Sequence, residues 1–170
     1  MTRGARHGAG DHHGGCGCRR AGGAARAVAH GVLSAGGTVY IFNRSREKGE
    51  ALATELGAEF RPLEEFAAER FEILVNTSPV GMTPQVEQSP IPREKLRPGM
   101  VVMDIVYTPL KTRLLLEAEA AGCVTIDGLA MFVFQGARQF ELWTGLSAPV
   151  DIMRMAVQAE LTSPAVATPQ

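Results

Sequence analysis

Four short apolar runs separated by helical stretches constrain this chain more than any other feature. They are Thr38–Asn43 (TVYIFN), 72–76 (EILVN), 100–105 (MVVMDI) and 123–126 (CVTI). Runs of four to six apolar residues without polar alternation read as strands buried on both faces. Between them the apolar residues recur at helical spacing. Ala24, Ala25, Val28, Val32 and Ala35 share one face, closed by Gly36 and Gly37. Residues 45–56 form a second amphipathic helix ended by Gly57, and 63–70 a short helix after Pro62. Residues 110–121 repeat the pattern through Leu110, Leu114 and Ala118, and 128–143 and 150–161 are two closing helices. Strands alternating with helices specify an α/β fold, a doubly wound and mainly parallel sheet. Ligands of such sheets lie beyond the carboxyl ends of the strands.

The 170 residues amount to one domain. No apolar run approaches the roughly 18 residues of a membrane span, and a net charge of −1 supplies no global field for nucleic acid. The start lacks a secretory signal and three cysteines make no disulfide framework, so the expected compartment is the reducing cytoplasm. Composition changes sharply along the chain. Residues 1–23 contain no Val, Ile, Leu, Phe, Tyr or Trp. In residues 1–20, four arginines oppose one aspartate, a net +3, which leaves −4 on the remainder. Residues 1–20 are therefore read as a disordered or non-native leader, 21–161 as the folded domain and 162–170 as a flexible tail. The first strand of the sheet would then be degraded or missing. Asp11, His12, His13, Cys16 and Cys18 do not have zinc-site spacing, so no metal is assigned.

The strand ends carry the chemistry. Arg20-Ala21-Gly22-Gly23-Ala24-Ala25 opens the first helix and matches the second and third positions of a G-x-G-x-x-G/A dinucleotide turn, but not the first. Both a phosphate cradle and a plain Gly-Gly helix start are open for it. Asn43 lies 21 residues after Gly22, where NAD binders place an acidic residue for the ribose; here Asn43, Arg44, Ser45, Arg46 and Lys48 follow instead. A solvated charge cluster at a helix start is the alternative, but cations stacked at a helix N-terminus are unfavourable unless an anion joins them, which favours a 2′-phosphate. Thr77 begins a polar turn after the second apolar run, 72–76, open as a ribose contact or as an ordinary Pro-Gly loop. Tyr107 follows the next strand, as a ligand contact or a packing residue with a wet hydroxyl. Gln135 interrupts the apolar stretch Met131-Phe132-Val133-Phe134 and needs partners if buried.

Taken in order, AGGAARA (21–27), NRSREK (43–48), NTSPVGM (76–82), DIVYTPLKTRLL (104–115) and DGLAMFVFQGARQFELWTG (127–145) resemble the shikimate dehydrogenase family over residues 21–161. The resemblance implies an oxidoreductase of the shikimate pathway, reducing 3-dehydroshikimate to shikimate with NADPH. It implies that Ala21, Gly22, Gly23 and Ala24 cradle the pyrophosphate, and that Asn43, Arg44, Ser45, Arg46 and Lys48 take the 2′-phosphate end. Thr77, Ile105 and Gly128 would line the cofactor further along, and Tyr107 and Gln135 would reach the substrate. Asp104 is read as structural. Nothing matches the family's N-terminal domain, which carries the catalytic lysine and aspartate, so no catalytic residue is assigned. The expectation is an NADP-binding portion inactive alone, with a separate N-terminal domain as a partner; homo-oligomerisation stays open. The rival readings are a non-catalytic nucleotide-binding module and a truncated or mis-started fragment, with a quinate/shikimate dehydrogenase as a close variant.

Overall fold

The computed structural model describes residues 13–16, 22–67 and 71–162. Six parallel strands form one sheet in the spatial order β3-β2-β1-β4-β5-β6: β1 His13–Cys16, β2 Thr38–Asn43, β3 Glu59–Pro62, β4 Ile73–Asn76, β5 Val101–Asp104 and β6 Val124–Ile126. The helices are α1 Gly23–Ser34, α2 Arg46–Leu56, α3 Arg113–Ala120, α4 Gly128–Thr144 and α5 Val150–Thr162. The order reverses between β1 and β4, so the crevice at their carboxyl ends is the topological switch point.

Side-chain alternation along the strands divides the core into two layers. Val39, Ile41 and Val75 face α1 and α2, where they meet Ala25, Ala29, Leu52 and Ala53. Phe42, Leu74 and Val102 face the other way, against Leu114, Leu115 and Ala118 of α3. Phe42, Phe66 and Phe71 add a cluster of ring contacts at 5.3–5.5 Å on that side. Gly57 ends α2 at φ +68, a left-handed turn that a side chain would strain.

Three expectations are corrected. The first strand is present: His13–Cys16 pairs with Thr38–Ile41 of β2, and Gly14 and Gly15 pair with Ile73 and Leu74 of β4. Strand pairing uses main-chain groups, so two apolar neighbours can recruit a segment that has no aliphatic signal of its own. The rest of the expected leader lies outside the described residues, as do Ala21, expected at the pyrophosphate turn, and 163–170. Second, β3 has no counterpart among the expected strands; its sequence EFRP alternates charged with apolar residues, as an edge strand allows. Third, the helix expected over 63–70 is a single 3-10 turn, Leu63–Glu65. Phe66 leaves helical geometry at φ −63, ψ 123 and is buried against Phe42 instead; residues 68–70 lie outside the described residues. No helix among the described residues is long and apolar enough to cross a membrane.

Candidate cofactor crevice

All six buried polar side chains among the described residues lie at the carboxyl ends of strands or just beyond them: Asn43, Asn76, Thr77, Ser78, Asp104 and Thr112. Buried polar groups normally find partners, so the two that do not are informative. Asn43 ends β2, 3% exposed; its Nδ2 donates to the Ser45 carbonyl at 2.9 Å, while its Oδ1 has no partner among the described residues. Thr77 follows β4, and its buried hydroxyl likewise has none. The third such atom, Arg61 Nε, lies on β3. Asn43 and Thr77 flank the end of β1 from either side. An orphan carbonyl oxygen suits a hydroxyl donor such as a ribose, and an orphan hydroxyl suits either kind of partner.

The start of α2 sits directly on the end of β2, because Gly49 leaves no room for a side chain: a Cβ there would meet the Phe60 ring at 2.3 Å and Asn43 Cβ at 3.1 Å. Ser45 is the N-cap residue, yet its hydroxyl makes no capping bond, which leaves first-turn N–H groups open to another acceptor. Arg44 and Lys48 are exposed and carry no ion pair among the described residues. Arg46 differs from the expectation that groups it with them, since its Nε donates to Glu50 Oε1 at 2.7 Å one turn along α2. The opening of α1 is similar. Gly22 is its N-cap in extended conformation without a side-chain cap, and no acidic residue occupies the first turn. Such an end carries partial positive charge with nothing of its own to offset it.

The ends of β4 and β5 are locked together. Asn76 and Asp104 are register partners, and Asn76 Nδ2 donates to Asp104 Oδ1 at 2.9 Å. The same Oδ1 accepts from Val106 N at 3.0 Å, and Oδ2 accepts from the Thr112 hydroxyl at 2.7 Å. Asn76 Oδ1 takes the N–H and hydroxyl of Ser78 at 3.0 and 2.7 Å. Burial pushes the Asp104 carboxyl above its ordinary value, against the pull of these three donors. Ile105 is half-buried and Tyr107 is 39% exposed, its ring 4.7 Å from that of Phe132. Gly128 begins α4 against this turn; a Cβ there would lie 2.4 Å from the Ile105 carbonyl oxygen and 2.6 Å from that of Val106.

A cavity of about 830 Å³ runs between α1 and α4, lined by Gly23, Ala24, Ala27, Val28, Met103, Ala130, Met131, Phe134 and Gln135. Gln135 is exposed into it rather than enclosed in the core, so it requires no internal partner. The structure thus gathers Asn43, Arg44, Ser45 and Lys48 at one end of the crevice. Gly23, Ala24 and Gln135 border the cavity, and Thr77, Ile105, Tyr107 and Gly128 form the turns beyond β4, β5 and β6. Sequence reasoning missed Asn76, Ser78 and Thr112, whose only local signal is the N-cap preference of Thr112 ahead of α3. It also missed Met103, a strand residue with no distinguishing pattern. Among the described residues no group of three His, Cys, Asp or Glu could hold a metal ion.

Comparison with known proteins agrees with this arrangement. A family model described as the shikimate 5′-dehydrogenase C-terminal domain matches residues 128–158. A shikimate dehydrogenase (NADP(+)) from Natronomonas pharaonis is 45% identical over 144 residues, covering 83% of this chain and 54% of that protein. A crystal structure of a shikimate dehydrogenase in complex with NADP+ superposes with a TM-score of 0.82 at 37% identity, over 89% of this chain and 56% of that one. Another, from Thermus thermophilus in complex with NADP(H) and shikimate, gives 0.78 at 40% identity, over 85% and 54%. The chain spans about half the length of the relatives it matches.

Proposed function

Because the chain corresponds to the C-terminal portion of the shikimate dehydrogenase family, we propose that it binds NADP and is the cofactor-holding part of an enzyme that interconverts 3-dehydroshikimate and shikimate. The observation that carries this reading is the end of β2. A buried acceptor on Asn43, the cations Arg44 and Lys48, without ion pairs among the described residues, and an uncapped helix start meet where an NAD binder would present a carboxylate. The orphan atoms of Asn43 and Thr77 fit a ribose-bearing ligand, and the uncapped starts of α1 and α2 fit its phosphates.

In this reading Gly22, Gly23 and Ala24, with Ala21 before them, hold the pyrophosphate. Asn43, Arg44, Ser45 and Lys48 hold the 2′-phosphate end, with a smaller share for Arg46, which is committed to Glu50. Thr77, Ile105 and Gly128 border the remainder of the cofactor, and Tyr107 and Gln135 face the substrate. When bound, NADP supplies the hydride acceptor or donor; the chain's residues bind and orient it. Proton transfer needs a positioned acid–base group. The three lysines do not provide one. Lys48 lies on α2, Lys95 donates to the Glu64 carbonyl at 3.0 Å, and Lys111 pairs with Glu119. We therefore assign no catalytic residue to this chain and place that group on a portion of the kind that makes up the rest of its relatives. Apolar side chains exposed on α4 and α5, among them Phe134, Leu142, Trp143, Ile152 and Met155 at 56–79%, leave surface that such a portion would cover, whether on the same polypeptide or a separate one.

Titration of the purified chain with NADPH and NADH tests the reading. Charge-assisted hydrogen bonds contribute about 1.5–3 kcal/mol, so NADPH should bind more than tenfold tighter and Arg44→Ala should remove most of the difference. Equal affinities for the two cofactors in the wild type would refute it. A preference for NADH would favour a quinate-type variant that uses NAD.

A further inference from the structure

Asp104 is the only buried ionisable side chain among the described residues, and nothing in the proposed cofactor contacts uses it. Its carboxylate is the junction of three separate turns. Oδ1 holds the Val106 N–H of the turn that carries Ile105 and Tyr107. The same oxygen accepts from Asn76 Nδ2, and Asn76 in turn fixes the Thr77 turn through the N–H and hydroxyl of Ser78 and, at 3.4 Å, the Val80 carbonyl. Oδ2 holds the Thr112 hydroxyl, which caps α3 by accepting from Leu115 N at 3.4 Å. A core residue needs none of this: an apolar side chain would fill the space without three buried donors to satisfy. The polar arrangement instead fixes backbone geometry at the point where the crevice opens.

We infer that Asp104 is a positioning residue for the nicotinamide end of the crevice: through Val106, Asn76 and Thr112 it holds the Ile105–Tyr107 and Thr77 turns in register. The inference rests on the cofactor reading above. The separation of the two crevice ends makes it specific. Asn43, Arg44, Ser45 and Lys48 are set by β2 and α2, and no hydrogen bond joins them to the Asp104 network among the described residues. Disturbing Asp104 should therefore weaken the far end of a bound dinucleotide and leave the 2′-phosphate end intact.

The experiment compares NADPH with 2′,5′-ADP, which carries only the adenosine and 2′-phosphate end, on the whole chain as wild type, Asp104→Asn and Thr112→Val. Circular dichroism and cooperative thermal unfolding verify that each variant folds. Asp104→Asn should lose at least about tenfold in NADPH affinity, the equivalent of one or two net hydrogen bonds, while 2′,5′-ADP binding stays within about twofold. Thr112→Val removes one of the three donors and should move NADPH binding in the same direction by less; it decides the matter alone if Asp104→Asn does not fold. Equal losses for both ligands, or no loss for either, would overturn the positioning role. A wild-type chain that binds neither ligand would overturn the cofactor reading itself and the inference with it.

Discussion

Gly128→Ala should destabilise the protein and loosen its crevice, while the same substitution at Gly31 should stabilise it. The Cβ added at position 128 would lie 2.4 Å from the Ile105 carbonyl oxygen and 2.6 Å from both the Ile105 carbonyl carbon and the Val106 oxygen. All three are backbone atoms, so no side chain can rotate away. Restoring even 3.0 Å moves the start of α4 or the Ile105 turn by at least 0.6 Å. Overpacking of this kind costs about 1–3 kcal/mol. At about 2–4 °C per kcal/mol for a domain of this size, Tm should fall by about 2–12 °C. At Gly31, exposed on α1, an added Cβ meets nothing within 4 Å. Only the helix preference of Ala over Gly remains there, about 0.5–1 kcal/mol in favour of the fold. Differential scanning fluorimetry of the two variants reads the sign directly, and NADPH titration reads the displaced Ile105 turn. A Gly128→Ala protein as stable as the wild type would refute the close approach of α4 to β5, whatever happens at Gly31.

The orphan hydroxyl of Thr77 gives a prediction with opposite signs: Thr77→Val should leave Tm unchanged or slightly raised, yet weaken NADPH binding about 2–12-fold, the range of one net hydrogen bond. A fall in Tm with binding intact would reverse the assignment. Burial raises the Asp104 pKa, so its contribution to stability is fully present below the ordinary carboxylate value and is lost as pH rises through the raised one. The Tm of Asp104→Asn minus that of the wild type should therefore increase between acid and neutral pH, and a difference that shrinks over that interval contradicts the shift. Glu55, held below its ordinary value chiefly by its hydrogen bond from Arg26, works the other way: the pairing of α1 with α2 fades as pH falls through the lowered value. At neutral pH, Arg26→Ala should change Tm only slightly because the pair is solvent-exposed, and a large drop would show an anchoring role.

Local sequence determined the elements whose signal is written in their own side chains. The run Thr38–Asn43 is β2 to the residue, because the centre of a strand covered on both faces is apolar and its polar residues fall at the two ends. α4 and α5 follow their apolar periodicity to within a residue, and the cationic turn Asn43–Arg44–Ser45 lies at a helix start as its spacing after Gly22 requires. What tertiary structure decided is whatever depends on neighbours distant in the chain. β1 has no apolar signal and exists through main-chain pairing with β2 and β4. β3 reads as polar because only an edge position lets Glu59 and Arg61 reach solvent beside Phe60. Phe66 is drawn out of a helix by the rings of Phe42 on β2 and of Phe71 in the segment before β4. Arg46 is spoken for by Glu50, and Gln135 faces a cavity rather than the core. The Asp104 junction joins residues 28 positions apart in sequence, and only the β4–β5 register brings them within 2.9 Å. Periodicity reports how a segment meets an average environment; a buried hydrogen bond depends on which atom the fold places opposite it, and a single sequence does not encode that locally.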